Sequence, residues 1–170
     1  MPTQLWILSP TFDAMETRCG RRSWPRTANN PVEPKTTPLA VTDTHALIWA
    51  IDGNRKRLGK RARKQFDNAD EGKCAIYIPA LVLAELGEAC HRGRVTLVLP
   101  FEEWARAAFA SGKYHEAELT AEIIYIAQRL YTIAERGDRL IVATAAALDL
   151  PLITRDPEIA AAVGVECLWD

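Results

Sequence analysis

Apolar and polar residues change rhythm at Leu39. Leu39-Ala40-Val41-Thr42 is a short apolar run ending at Asp43, the pattern of a buried strand. Thr44 to Ile51 reads as a helix, and Arg55 to Asp70 as a second one carrying Leu58, Ala62 and Phe66 at helical spacing. Cys74 to Ile78 is strand-like. Pro79 then suits the first turn of a helix running to about His91. A short strand is expected at Val95 to Leu99, a helix at Phe101 to Ser111 and a short strand at Glu118-Leu119. Thr120 is placed to cap a helix reaching about Ile133. Asp138 to Leu148 reads as a helix, Pro151 to Thr154 as a strand, Pro157 to Ala162 as a short helix and Val165 to Leu168 as a last strand. Strands alternating with helices predict an α/β fold with a mainly parallel central sheet and helices on both faces.

Residues 1–38 follow no such rhythm. They hold six of the ten prolines, and five basic residues against three acidic ones, whereas the remainder has sixteen against nineteen. A segment with so little apolar surface to bury is expected to be a flexible leader, or an over-extended start. The expected folded domain is therefore 39–170. The whole chain of 170 residues has a formal charge of −1, which leaves nucleic-acid contact to local patches. No apolar run approaches the roughly 20 residues of a membrane span. Leu5 to Leu8 is shorter than the ~7–15 residues of a signal-peptide core. The expectation is a cytoplasmic protein with no membrane contact. Cys19, Cys74, Cys90 and Cys167 are scattered without a CxxC pair, as free thiols are and zinc ligands are not.

Ligands of open α/β sheets bind beyond the carboxyl ends of the strands. Asp43 follows the first strand directly, Asp156 lies two residues after the strand ending at Thr154, and Asp138 opens a helix. Each suits an N-cap, and a cap keeps a second oxygen for a ligand. Glu85 is the sharper signal. With Leu81 and Val82 before it and Ala89 after it, it falls on an apolar helix stripe, where a carboxylate needs a cation or a metal. Acids that converge repel one another unless a cation neutralises them, and all-oxygen ligands favour Mg²⁺ or Mn²⁺. Metal-assisted phosphodiester hydrolysis is the chemistry such a cluster would serve.

Four ordered segments resemble one family. Val41-Thr42-Asp43-Thr44-His45-Ala46-Leu47-Ile48-Trp49 is similar to the opening strand and helix of PIN-domain proteins, most of all the VapC toxins of type II toxin–antitoxin pairs. Ile78 to Leu86, Gly137 to Ala145 and Leu152 to Asp156 resemble the second, third and fourth motifs. The resemblance spans about residues 39–170. It implies a PIN-like three-layer sandwich and a Mg²⁺- or Mn²⁺-dependent endoribonuclease. By motif position, Asp43, Glu85 and Asp138 match metal-coordinating acids, and Asp156 matches a more variable fourth acid. Thr154 matches a hydroxyl beside the site, and Thr44 is expected to support it. The resemblance further implies a homodimer silenced by a small antitoxin. Two departures stand out. Glu135-Arg136-Gly137-Asp138 replaces the Asp-Pro-x-Asp of many relatives, and Ala80 to Ala84 lack the Ser or Thr that often precedes the second acid.

Arg55, Lys56, Arg57, Lys60, Arg61, Arg63 and Lys64 put seven positive charges in ten residues. They are either a solvated helix face or, with Arg139, a grip for RNA or for an acidic antitoxin tail. His45 reads as a packing or orienting residue, with general base the alternative, and His91 and His115 as surface residues. Trp49, Trp104 and Trp169 read as core or interface. The rival to a nuclease is a non-catalytic α/β interaction module whose acids are caps and ion pairs. A haloacid-dehalogenase-like phosphatase would need a second Asp where His45 stands.

Overall fold

The computed structural model describes residues 38–157, 159 and 164–170. The leader expected at 1–38 lies outside these residues except for Pro38, and so does most of the helix expected at Pro157 to Ala162. The described residues belong to one unit, Pro34–Asp170.

Four strands form a parallel sheet in the order β3-β2-β1-β4: β1 (Pro38–Thr42), β2 (Ala75–Pro79), β3 (Tyr114–Ala117) and β4 (Leu152–Ile153). Val41 faces Tyr77 on one side and Leu152 on the other. Successive residues Ala40 and Val41, and Leu152 and Ile153, are all fully buried. In a strand, neighbours point to opposite faces, so both faces of the sheet are covered. Among the described residues the helices are α1 (Thr44–Ile51), α2 (Lys60–Asp70), α3 (Ala80–His91), α4 (Phe101–Ala110), α5 (Ala121–Ala127) and α6 (Arg136–Leu148). Phe66 of α2, Leu47 of α1, Val82 and Leu86 of α3 and Val142 of α6 bury their side chains against the sheet residues in one core. The α/β architecture expected from the alternation is the one observed.

Several boundaries differ from expectation. Arg55 to Asp70 is not one helix: a 3-10 turn at Arg55–Arg57 is separated from α2 by Leu58 and Gly59. A Cβ on Gly59 would come within 2.1 Å of the Trp169 carbonyl oxygen, and that same oxygen accepts from the Arg61 and Ala62 amides at 3.0 and 3.4 Å. The far end of the chain thus caps α2, and only glycine admits it. Pro79 closes β2 and is the N-cap of α3 rather than its first residue. Val95 to Leu99 forms no strand; Val98 is 93% exposed. The edge position beside β2 is taken by Tyr114–Ala117, four residues ahead of the strand expected at Glu118-Leu119. The helix capped by the Thr120 hydroxyl stops at Ala127, and tight turns carry the chain on to Ile133. Val165 to Leu168 makes a single bridge, Cys167 to Leu152, rather than a strand. His115 is half-buried rather than fully at the surface: its ring packs 5.7 Å from Tyr77 and its Nε2 is buried.

Candidate active site

Parallel strands bring their carboxyl ends to one side of the sheet, and the polar residues following β1 and β4 meet there. One cleft of about 590 Å³ is lined by Asp43, Thr44, His45, Trp49, Arg57, Glu85, Glu135, Asp138, Ile141, Thr154, Arg155, Asp156 and Ile159. All four acids singled out in the sequence line it, along with both threonines.

Each acid is held by local structure. Asp43 is the N-cap of α1, its Oδ1 accepting from the Ala46 amide at 2.6 Å. Asp156 accepts from the Ile159 amide at 3.4 Å, and its own amide donates to the buried Thr154 hydroxyl at 3.1 Å. Glu85 accepts a hydrogen bond from the Thr44 hydroxyl, so the α1 start and α3 are tied together through the site. Asp138 does not open its helix as expected: α6 begins two residues earlier with Glu135 as N-cap, and Asp138 sits in the first turn, where the helix dipole favours a negative charge. Gly137 packs so closely that a Cβ there would meet Glu85 Oε1 at 3.0 Å.

The electrostatics follow from this crowding. Burial pushes the Asp43 carboxyl up from its ordinary value, against hydrogen bonds from Ala46, Thr154 and Arg155 and the charge of His45. Asp138 is also raised, by burial first and then by the negative charges of Glu135, Glu85, Asp156 and Asp43. That set of mutual repulsions is the condition a cation relieves. The acids offer oxygen alone, the donor that Mg²⁺ and Mn²⁺ take, so the residues present fit such an ion. Among the described residues no three acid, histidine or cysteine side chains form a closed ligand cluster; the acids share a cleft rather than a point.

The cations divide. Arg55 is committed to Asp67 and Asp70, each at 2.5 Å, and Arg61 to Glu166. Arg63 donates to the Arg55 and Leu58 carbonyls. Arg139 donates to the Ile133 carbonyl at 3.0 Å and lies over the Tyr131 ring. Lys56, Lys60 and Lys64 are exposed and do not line the cleft. Arg57 alone of the basic run lines it, with its guanidinium 4.8 Å from the centre of the Trp49 ring. Trp49 is 7% exposed, so it serves as a support rather than as a face for stacking bases. Arg155 and Glu135 also line the cleft, and the sequence patterns do not single them out. For Arg155 the available signal is its place between Thr154 and Asp156. For Glu135 it is obscured because the apolar period of α6 begins only after Asp138.

The PIN domain family model matches residues 40–164. The chain belongs to the PIN-domain family. PIN domains are generally nucleases that use a divalent metal. Solved structures repeat the fold at low identity. VapBC2 from Rickettsia felis, bound to a promoter DNA fragment, is 17% identical with a TM-score of 0.57, covering 78% of this chain and 99% of that one. DNA-bound VapBC from Salmonella typhimurium is 14% identical with a TM-score of 0.55, covering 77% and 97%. FitAcB from Neisseria gonorrhoeae is 17% identical with a TM-score of 0.53, covering 76% and 96%. No curated protein sequence gives a significant match. Among the described residues of this PIN domain, no helix is long and apolar enough to cross a membrane.

Proposed function

We propose that this PIN domain is a metal-dependent endoribonuclease and the toxin of a toxin–antitoxin pair. The observation that carries the reading is the meeting of Asp43, Glu85, Asp138 and Asp156, drawn from separate segments, in one cleft at the strand ends. The nuclease is assigned to residues 39–170. The four acids would hold Mg²⁺ or Mn²⁺, with Thr44 and Thr154 supporting Glu85 and Asp156 through hydrogen bonds. A bound divalent ion supplies polarisation of the phosphate and a lowered pKa for an attacking water. The chain's own contribution is to gather the carboxylates, fix Asp43 and Asp156 by their caps, and hold Glu85 against Thr44. Attack of water on the phosphorus with departure of the 3′-oxygen, which takes up a proton, would leave a 5′-phosphate and a 3′-hydroxyl.

Lys56, Arg57, Lys60, Lys64 and Arg139 are proposed to contact RNA or an acidic antitoxin segment. Arg55 and Arg61 belong to that surface through the ion pairs that shape it. The toxin reading is supported by the likeness to toxin–antitoxin structures and brings with it a small antitoxin, a homodimer and a cytoplasmic setting. The test is cleavage of structured and single-stranded RNAs by the purified chain in Mg²⁺ or Mn²⁺, with EDTA and Asp43→Asn as controls. Cleavage lost in both controls supports the reading. Absence of cleavage with every RNA favours a non-catalytic module instead.

A further inference from the structure

The basic run that reads as one patch in the sequence is, in the fold, a set of occupied cations plus a fringe of exposed lysines. Arg57 differs from all of them. It stands at the wall of the acid cleft, and among the described residues its guanidinium meets no carboxylate. Its contact is the Trp49 ring, which is itself fixed: Trp169 packs edge-on against it with centroids 5.9 Å apart, and the exposed His45 ring lies 5.7 Å away. A guanidinium laid on an indole keeps its N–H edge available for a phosphate while losing little further freedom on binding. Arg155 lines the same cleft from the β4 exit, without an aromatic support among the described residues.

A cleft full of carboxylates repels a polyanion. Of the two arginines that line it, Arg57 is the one seated on an aromatic ring among the described residues, and so it offers an approaching phosphate the more fixed partner. We infer that Arg57, seated on Trp49, is a positioning residue that holds a non-scissile phosphate of the RNA and so sets the register of the strand over the acids. This rests on the ribonuclease reading and specifies how that site takes its substrate.

The experiment measures binding, so that it does not depend on cleavage. Fluorescently labelled single-stranded RNA is titrated with full-length Asp43→Asn protein, and with the same protein carrying Arg57→Ala, Arg57→Lys or Lys73→Ala, at several salt concentrations. Lys73 is an exposed residue just before β2, at the opposite end of the sheet. Arg57→Ala is expected to weaken binding roughly tenfold or more, the loss of one charged hydrogen-bonding contact. It should also reduce the slope of log affinity against log salt by about 0.7, one phosphate contact on a single strand. Arg57→Lys should recover the slope but only part of the affinity, and Lys73→Ala should match the parent. Unchanged affinity and slope in Arg57→Ala, with the parent binding RNA, overturn the inference alone. A parent that binds no RNA, together with wild-type protein that cleaves none, overturns the ribonuclease reading and this inference with it.

Discussion

Two clusters of charged residues in this molecule use the same chemical groups to opposite ends. Around Arg55, the carboxylates of Asp67 and Asp70 face a guanidinium, and Asp70 also accepts from Lys113 at 3.0 Å. Burial pulls the Asp70 carboxyl upward, but hydrogen bonds and charge from Lys113 and Arg55 outweigh it and hold the group below its ordinary value. In the cleft, both carboxyls are raised: Asp43 by burial, and Asp138 by burial and then by the neighbouring acids. The first cluster is balanced internally and ties the turn before α2 to the helix's last residues. In the second, burial outweighs the hydrogen bonds and the charge of His45 at Asp43, and burial and neighbouring acids act in the same direction at Asp138, a pattern found more often at ligand sites than in structural ion pairs.

The largest effect that sharpens this contrast is on catalysis. Asp43→Asn or Asp138→Asn should lower RNA cleavage at least about 100-fold, since each removes a carboxylate from the proposed metal-binding set. An asparagine in place of Asp43 still caps α1, so the loss is not one of folding. Asp70→Asn should leave the rate within about twofold. Comparable losses from Asp70→Asn would erase the distinction between the clusters.

The second effect concerns stability, and its sign differs between the two. A raised carboxyl such as Asp138 stabilises the fold while protonated, and that contribution disappears as pH climbs from the ordinary 3.8 through its folded-state value. A lowered one such as Asp70 stabilises above 3.8 and loses that contribution as pH falls through the carboxylate range. In EDTA at pH 7, Asp138→Asn is therefore expected to raise the melting temperature by a few degrees. Asp70→Asn should lower it by a similar or smaller amount, because its ion pairs are partly exposed and screened. Both differences should shrink as the pH falls below 3.8, the Asp70 one persisting to the lower pH. Thermal melts across pH 3–8 check the signs.

A smaller and more local effect separates rate from stability at Gly137. Its place in the first turn of α6 makes alanine a better helix former by about 0.5–1 kcal/mol. Yet the added methyl would press on Glu85 Oε1 at 3.0 Å. Gly137→Ala should melt slightly higher and cleave several-fold more slowly. Equal rates would mean that the Glu85 carboxylate tolerates displacement. Thr44→Val, which removes the hydroxyl donor to Glu85, should slow cleavage by a few-fold with little change in fold.

The legibility of the molecule in its sequence follows the same division. The acids could be found because each stands at an address that local pattern defines: Asp43 and Asp156 just beyond strands, Glu85 on an apolar stripe, Asp138 near a helix start. The parallel sheet could be found because its inner strands are continuous apolar runs. What escaped depended on contacts from far along the chain. The break at Gly59 exists because the Trp169 carbonyl caps α2, and no window around residue 59 contains that oxygen. The strand at Tyr114–Ala117 is half polar, and its pairing with β2 rather than its composition makes it a strand. Val95 to Leu99 has strand-like residues, yet the edge beside β2 is already taken by β3. The basic run could be counted from sequence. Which of its members were already occupied by Asp67, Asp70 and Glu166 was visible only in the fold.

If the cleft acids act together as a divalent-cation site, the ion itself reports it most directly. The measurement is a calorimetric titration of Mn²⁺ into the full-length wild type, Asp43→Asn, Asp138→Asn and Asp70→Asn. Saturable binding is expected for the wild type and for Asp70→Asn, with at least tenfold weaker binding to both cleft variants. Binding unaffected by Asp43→Asn and Asp138→Asn, or no binding to the wild type at millimolar Mn²⁺, would contradict a shared cation site.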